Sequence, residues 1–303
     1  MTILEALAEG KASLAAAGIE NPALDASLLL AEVLGISRSV LFAVGDSDAL
    51  EETAIAVFNK FIERRIDGEC VAYILGRKEF YGLEFFVNHC VLVPRPDTET
   101  LVEAALARLS AAKPSASPPR ILDLCSGSGA IAIALKHEIP EAKIWATDIS
   151  PQALETAQSN AAHLLPPDSV HFRCGSLFDA LLDRDLRKFD LIIANPPYVP
   201  SGEIQGLSPE VRAEPALALD GGADGLDLIR KIILRGPEFL CPGGYLMLEA
   251  DPRQMRDIAS LLKSAGFEGI ETCCDISGKL RVIAGTIPKN QTIQNPDKCL
   301  SCE

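Results

Sequence analysis

Along the first third of the chain, apolar positions recur every three to four residues, the spacing that gathers side chains on one face of an α-helix. Thr2 and Glu5 have the spacing of a capping box ahead of Ile3, Leu4, Leu7 and Leu14, and Gly18 supplies a stop. Asn21-Pro22 reads as an N-cap followed by proline at the first helical position; the run from Ala23 to Leu34 is apolar on most sides, and Gly35 ends it. A third pattern runs from about Leu50 to Ile66, with Ile55, Phe58, Phe61 and Ile62 on one face. Residues 1–76 are therefore expected to form a small helical domain.

The period changes at Lys78. Glu79-Phe80-Tyr81 and Leu83-Glu84-Phe85-Phe86-Val87 are short, aromatic, β-prone runs flanking Gly82, and they predict a hairpin within a linker at 77–93. After Pro94 and Pro96 a helix is expected from about Asp97 to Leu109, and the Pro/Ser-rich stretch Lys113 to Pro119 reads as a surface loop. From Arg120 onward the two periods alternate. Strand candidates lie at 121–124, 143–147, 170–173, 191–194, 244–249 and 280–284; helix candidates lie at 130–136, 151–162, 226–234 and 253–265. Alternation of this kind predicts a doubly wound, mainly parallel α/β sheet over residues 94–286, with ligands at the carboxyl ends of its strands. Residues 287–303 are polar and aperiodic and are expected to be a flexible tail.

Composition narrows the function. The 303 residues carry 42 acidic and 28 basic side chains, a formal net charge of −14. A protein that grips nucleic acid through its phosphates needs concentrated Lys and Arg, so that class is disfavoured. The N-terminal 80 residues are acidic as well, with 13 acids against 7 bases. No run of about 18 uncharged apolar residues is present, and the N-terminus lacks a basic signal region, so neither a membrane span nor secretion is expected. The nine cysteines are an odd number scattered through apolar segments, which reads as reduced thiols in a cytoplasmic protein, with the adjacent Cys273 and Cys274 expected as core thiols near a strand. Cys299 and Cys302 form a Cys-x-x-Cys with no second pair, and His89, His137, His163 and His171 lack ligand spacing, so no metal site is assigned.

Two loops carry candidate chemistry. Directly after the strand Ile121–Leu124 comes Cys125-Ser126-Gly127-Ser128-Gly129, opening onto a helix whose N-terminus offers unpaired N–H groups. Asp148 lies 19 residues after Gly129 at the end of the next strand, where a carboxylate can accept from both hydroxyls of a ribose. Loop and acid together signal a ribose-bearing nucleotide, and by themselves they do not separate a nicotinamide cofactor from S-adenosylmethionine.

The second loop is Asn195-Pro196-Pro197-Tyr198, which follows the strand Leu191–Ala194 without a break. Two prolines past a buried strand stop the ladder and stiffen the backbone. Such a loop suits a planar amide or amine nitrogen: the Asn195 side-chain oxygen accepts one N–H, the Pro196 carbonyl the other, and Tyr198 stacks on the planar group. Holding a poor nucleophile about 3 Å from an electrophilic methyl group is then the main contribution. Two acceptors also stabilise the positive charge that develops on nitrogen.

With these residues in view, the sequence resembles the class I S-adenosylmethionine-dependent methyltransferases, and within them the HemK/PrmC group. That group methylates the N5 amide nitrogen of glutamine in class I peptide chain release factors. The resemblance runs to about residue 286 and rests on Ala72–Gly76 with Glu79–Gly82, on Val93–Glu99, on Ile121–Ala132 with Asp148, on Asn195–Tyr198, and on Arg212–Pro215 with Gly221–Leu226. It implies a seven-stranded sheet and S-adenosylmethionine as cofactor, held by Cys125, Ser126, Gly127, Ser128, Gly129, Asp148, Leu177 and Asn195. It implies catalysis by Asn195, Pro196 and Tyr198, with substrate contacts from those residues and Pro197. The helical domain would grip a release factor, and the enzyme would act as a monomer without nucleic acid or membrane.

Some residues depart from the family's pattern. Cys125 stands where glycine is common, Gly175-Ser176-Leu177-Phe178 lacks an acid for the adenine amino group, and Glu249-Ala250 replaces a common Glu-Gly. Three other readings compete: a ribosomal-protein glutamine methyltransferase, a nucleic-acid amine methyltransferase presenting a flipped base, and a non-catalytic cofactor-binding scaffold. Pro96-Asp97-Thr98-Glu99 resembles the release-factor enzymes more than the ribosomal-protein ones.

Overall fold

A computed structural model describes residues 1–43, 49–111, 117–181 and 188–289. Most of the expected tail, including Cys299 and Cys302, and part of the Lys113–Pro119 loop lie outside the described residues. Among the described residues, no helix is long and apolar enough to cross a membrane.

The chain opens with α1 (Ile3–Ala16), α2 (Pro22–Leu34), α3 (Arg38–Ala43), α4 (Glu52–Ile66) and α5 (Val71–Leu75). Both bonds of the capping box form: Glu5 N donates to Thr2 Oγ1, and Thr2 N donates to the Glu5 carboxylate. Asn21 precedes α2 as expected, with Pro22 in the first turn, but its side chain makes no capping bond. Leu14, Leu29, Leu30, Leu41, Phe58 and Ile62 form the core of this bundle. At Gly10 a Cβ would stand 2.7 Å from the Phe58 ring, so the absence of a side chain lets α1 and α4 approach.

Two short strands follow, β1 (Arg77–Phe80) and β2 (Leu83–Phe86), paired antiparallel. Tyr81 and Gly82 join them with φ of 53° and 72°, the left-handed pair of a two-residue turn whose twist matches the strands. Phe80 and Phe85 point into the core of the large sheet, edge to face with centroids 6.0 Å apart. The hairpin is thus packed onto the sheet domain.

That sheet contains β3 (Arg120–Leu124), β4 (Lys143–Asp148), β5 (Val170–Cys174), β6 (Phe189–Ala194), β7 (Leu240–Glu249), β8 (Glu268–Cys274) and β9 (Leu280–Thr286). Their order is β5-β4-β3-β6-β7-β9-β8, parallel except for β9, which runs antiparallel to both neighbours. The helices are α6 (Pro96–Ala111), α7 (Ala130–Glu138), α8 (Pro151–Leu164), the short α9 (Pro209–Arg212) and α10 (Ala216–Leu219), α11 (Asp227–Phe239) and α12 (Met255–Ser264). Side chains alternate across each central strand. Ile121, Leu191, Ile193 and Met247 pack with α6 and α7 on one face, while Leu122, Ile192, Leu246 and Leu248 pack with α11 and α12 on the other. This two-sided burial is why the central strands read as continuous apolar runs.

The structure corrects the sequence reading at several points. The seventh strand, β8, fell in no strand candidate, because it is an edge strand with most of its side chains exposed and carries no apolar alternation. Cys274, expected in the core, is exposed there, whereas Cys273 packs against the sheet. Helix α11 continues past Leu234 through Pro237 to Phe239. Strand β7 begins at Leu240 rather than Gly244, with a register shift against β6 between Phe189 and Leu191.

The order reverses at β3: the chain moves through β4 to β5 on one side and through β6 to β7 on the other. The carboxyl ends of β3 and β6 therefore splay their loops apart, which opens a crevice at this switch point.

Candidate active site

Both candidate loops open onto that crevice. Cys125, Ser126, Gly127 and Ser128 from the first, and Asn195 and Pro197 from the second, line one cavity together with Asp148 and Leu177. Gly129, Pro196 and Tyr198 are not among its lining residues. Gly129 is the N-cap of α7, Pro196 is buried, and Tyr198 packs against the core beneath the loop.

The loop after β3 turns through left-handed residues. Cys125, Gly127 and Gly129 have φ of 58°, 53° and 81°. Position 125 thus demands a conformation that glycine adopts freely and cysteine does not, which accounts physically for glycine being common there. Burial, with the Asp148 and Asp123 carboxylates nearby, pushes the Cys125 thiol upward, so it stays protonated rather than serving as a nucleophile.

Asp148 sits at the end of β4, accepting from Gly127 N at 2.9 Å and from Ser150 N at 2.9 Å. Burial raises its carboxyl, and these backbone donors oppose the rise. The Ser126 hydroxyl is buried with no partner. A cavity wall holding an acceptor-only carboxylate, an orphaned hydroxyl and the amide end of α7 fits a polar, ribose-bearing group such as S-adenosylmethionine. Leu177 (φ 50°) and Ile149 supply an apolar wall. Ser176 also lines the cavity, and the nearest acid beyond it, Asp179, is engaged by Arg235 at 2.6 Å.

The loop after β6 is fastened from several directions. Asn195 Nδ2 donates to Thr98 Oγ1 at 3.2 Å, and the Tyr198 hydroxyl donates to Glu249 Oε1 at 3.3 Å. Gln254 Nε2 donates to the Tyr198 carbonyl at 2.9 Å. Val199 N donates to Leu219 O at 3.0 Å and Gly221 N to Val199 O at 2.9 Å, so the segment 216–225 lies against the loop. Burial, then the Glu249 charge, pushes the Tyr198 phenol upward, so it remains neutral and is not a base.

Sequence reasoning missed three supporting residues. Asn160, fully buried on α8, accepts from Phe86 N at 2.7 Å and donates to Phe86 O at 3.0 Å and Ser128 O at 2.9 Å, tying the hairpin to the glycine-rich loop. Asp123, on β3, accepts from Ala132 N at 3.2 Å and holds the first turn of α7. Glu214 accepts from Val93 N at 3.1 Å and pairs with Arg95, joining the linker to the segment before α10. The polar Asn160 on an otherwise small and apolar helix face was the available signal, since buried polar side chains need partners.

Known proteins resemble this chain in sequence and in fold. Residues 5–76 match the PrmC N-terminal domain, and residues 103–207 match the methyltransferase small domain. A release factor glutamine methyltransferase of Geobacter sulfurreducens is 40% identical over 287 residues, covering 94% of this chain and 97% of the relative. One of Bradyrhizobium diazoefficiens is 46% identical over 255 residues, 84% of each chain. Among solved structures, a methyltransferase from Pyrococcus furiosus superposes with a TM-score of 0.50 at 17% identity, covering 70% of this chain and 92% of its own, a likeness of fold.

Proposed function

The chain belongs to the release factor glutamine methyltransferase family, and from that premise we propose which of its residues carry the reaction and how. The enzyme transfers a methyl group from S-adenosylmethionine to a glutamine of a peptide chain release factor. The acceptor is the N5 side-chain amide nitrogen. The observation that carries the residue assignment is the meeting of the Asn195 loop with the Asp148 and Cys125 loops at the walls of one cavity.

When bound, S-adenosylmethionine supplies an electrophilic methyl group on a sulfonium. Asp148 would hold its ribose hydroxyls, and residues 125–129 would bring backbone N–H groups close to it. Asn195 commits Nδ2 to Thr98, which leaves Oδ1 as the end that accepts one N–H of the substrate amide. The Pro196 carbonyl accepts the second. Gripped at both hydrogens, the amide plane cannot rotate, and the nitrogen presents its π face to the methyl group. The same two acceptors stabilise the nitrogen as it becomes positive, after which its proton is acidic enough to pass to water. The Tyr198 ring, expected from the sequence to stack on the amide, packs against the core and would brace the loop from beneath; its neutral phenol and the protonated Cys125 thiol leave neither as a base or nucleophile.

The domain division at 76, 93 and 286 and the role of residues 1–76 in gripping the release factor belong to this reading. It is supported by Arg65, buried on α4, which bonds Asp25 at 2.7 Å and reaches across to Glu210 on α9, and so ties the helical bundle to the region around the cavity. The reading also takes the enzyme as a cytoplasmic monomer that binds no nucleic acid. Its net charge of −14 supports the absence of a nucleic-acid partner, as do its many arginines, among them Arg64, Arg95, Arg230, Arg253 and Arg281, already paired with carboxylates.

The test is transfer of labelled methyl from S-adenosylmethionine to a release factor and to the same factor with its target glutamine changed to alanine. Label is expected on the first only, and Asn195→Ala is expected to lose about 100-fold or more in kcat at saturating cofactor. Full-rate labelling of the alanine substrate would overturn the assignment.

A further inference from the structure

Among the described residues that line the cavity, Arg95 is the one cationic side chain and Asp148 the one acidic side chain. Arg95 stands in the linker immediately before α6. Thr98 N donates to the Arg95 carbonyl at 3.0 Å, and Thr98 Oγ1 receives Asn195 Nδ2 at 3.2 Å, so Arg95 leaves the chain beside the turn that fastens the Asn195 loop. Its Nη2 pairs with the Glu214 carboxylate, which is buried and also accepts from Val93 N at 3.1 Å. A guanidinium carries five N–H donors. Among the described residues, no group bonds to its Nε or Nη1, and its side chain is 36% exposed. One edge is therefore steadied by a buried carboxylate while the others stay open.

S-adenosylmethionine ends in an amino acid, whose α-carboxylate is costly to bring into a cavity lined largely by apolar side chains unless a partner meets it. With the ribose at Asp148, at the end of β4, and the methyl group directed to Asn195, at the end of β6, the amino-acid chain is left the rest of the cavity. The walls there are Val91, Leu92, Pro94 and Arg95 of the linker and the first turn of α7. The linker offers apolar surface for the methylenes and one guanidinium for the charge. A carboxylate turned toward Asp148 would be repelled, whereas one at Arg95 gains a charge-assisted hydrogen bond.

We propose that Arg95 receives the α-carboxylate of S-adenosylmethionine, so that the cofactor is held at its ribose by Asp148 and at its far end by Arg95. This inference rests on the cofactor placement given above. It also accounts for Glu214, which aims the guanidinium from outside the cavity. The carboxylate is the same in S-adenosylmethionine and in S-adenosylhomocysteine, so the contact is worth as much after transfer as before it. Arg95 therefore contributes affinity rather than rate.

The experiment titrates S-adenosylmethionine, S-adenosylhomocysteine and decarboxylated S-adenosylmethionine into the wild-type enzyme, Arg95→Met and Glu214→Gln by calorimetry, at about 0.15 M salt to screen long-range charge effects. The wild type is expected to prefer S-adenosylmethionine over its decarboxylated form by about 10- to 100-fold in Kd, the scale of a hydrogen bond between charged groups. Arg95→Met is expected to weaken S-adenosylmethionine and S-adenosylhomocysteine by that factor while the decarboxylated form stays within about threefold, so the preference disappears. Glu214→Gln keeps the guanidinium and is expected to retain a preference of at least about fivefold. Arg95→Met leaves the buried Glu214 unpaired; if that variant does not fold, the double variant Arg95→Met/Glu214→Gln is expected to show the same lost preference. A wild type without preference, a preference that survives the loss of Arg95, or equal weakening of all three ligands, as a mere strut for Glu214 would give, would each overturn the proposal. Failure of the cofactor placement itself reads out separately, as unchanged affinity in Asp148→Ala.

Discussion

Replacing Asp148 with asparagine changes the cofactor site by one atom and tests how that site works. In the folded protein the carboxylate already accepts from Gly127 N and Ser150 N, each at 2.9 Å. Two ribose hydroxyls would make four donors converging on one group, and a carboxylate offers about four lone-pair sites. Asparagine keeps two and puts a donating nitrogen where the other two were, so either Gly127 N–H or Ser150 N–H faces a donor. An unpaired buried donor costs about 1–3 kcal/mol, which appears as a melting temperature lower by a few degrees. The hydroxyl on the nitrogen side can turn round and accept, so the affinity loss is the difference between a charge-assisted and a neutral bond, about 1–2 kcal/mol, or roughly 5- to 30-fold in Kd. Asp148→Ala removes every acceptor and is expected to cost roughly 100-fold or more by the same reckoning. Calorimetric titration with S-adenosylmethionine alongside thermal unfolding reads both quantities. If Asp148→Asn melted lower yet bound cofactor as wild type does, Asp148 would be a loop strut and the ribose role would be refuted.

Three further outcomes follow from local geometry. Because Cys125 holds φ of 58°, Cys125→Gly is expected to leave stability within about 1 kcal/mol, glycine's chain entropy offsetting the relieved strain, while the β-branched Cys125→Val loses about 2 kcal/mol in urea unfolding. Arg65→Met strands the buried Asp25 and is expected to cost about 3–5 kcal/mol, most of which the double variant with Asp25→Leu recovers; an uncompensated double variant would refute the pairing argument. A Cβ on Gly225 would overlap the Tyr198 carbonyl and the Gln254 amide, so Gly225→Ala is expected to displace the active loop, lowering kcat at least about 10-fold while cofactor affinity holds. Steady-state kinetics with parallel calorimetry separates those effects.

The chain's own order of residues determined a good deal. Periodicity determined the helical start, the hairpin turn and the central strands, because a strand buried on both faces must be apolar throughout and an amphipathic helix must repeat every three to four residues. Motif spacing brought Asp148, Ser126 and Asn195 forward as a set, since each stands at the carboxyl end of a strand where an α/β sheet places its ligands. Strand β8 escaped because an exposed edge places no demand on alternation, and the extension of α11 through Pro237 escaped because proline is ordinarily a stop. Only the tertiary structure decided how the loops are held. Asn160 reaches from α8 to the hairpin and the glycine-rich loop, and Thr98 from α6 to Asn195, across 74 and 97 residues of chain. The bonds from Asn195 to Thr98 and from Tyr198 to Glu249 have no period and no fixed spacing. They exist because strand order sets β6 beside β7 and α6 packs against β7 and β9, so segments distant in sequence meet around the active loop.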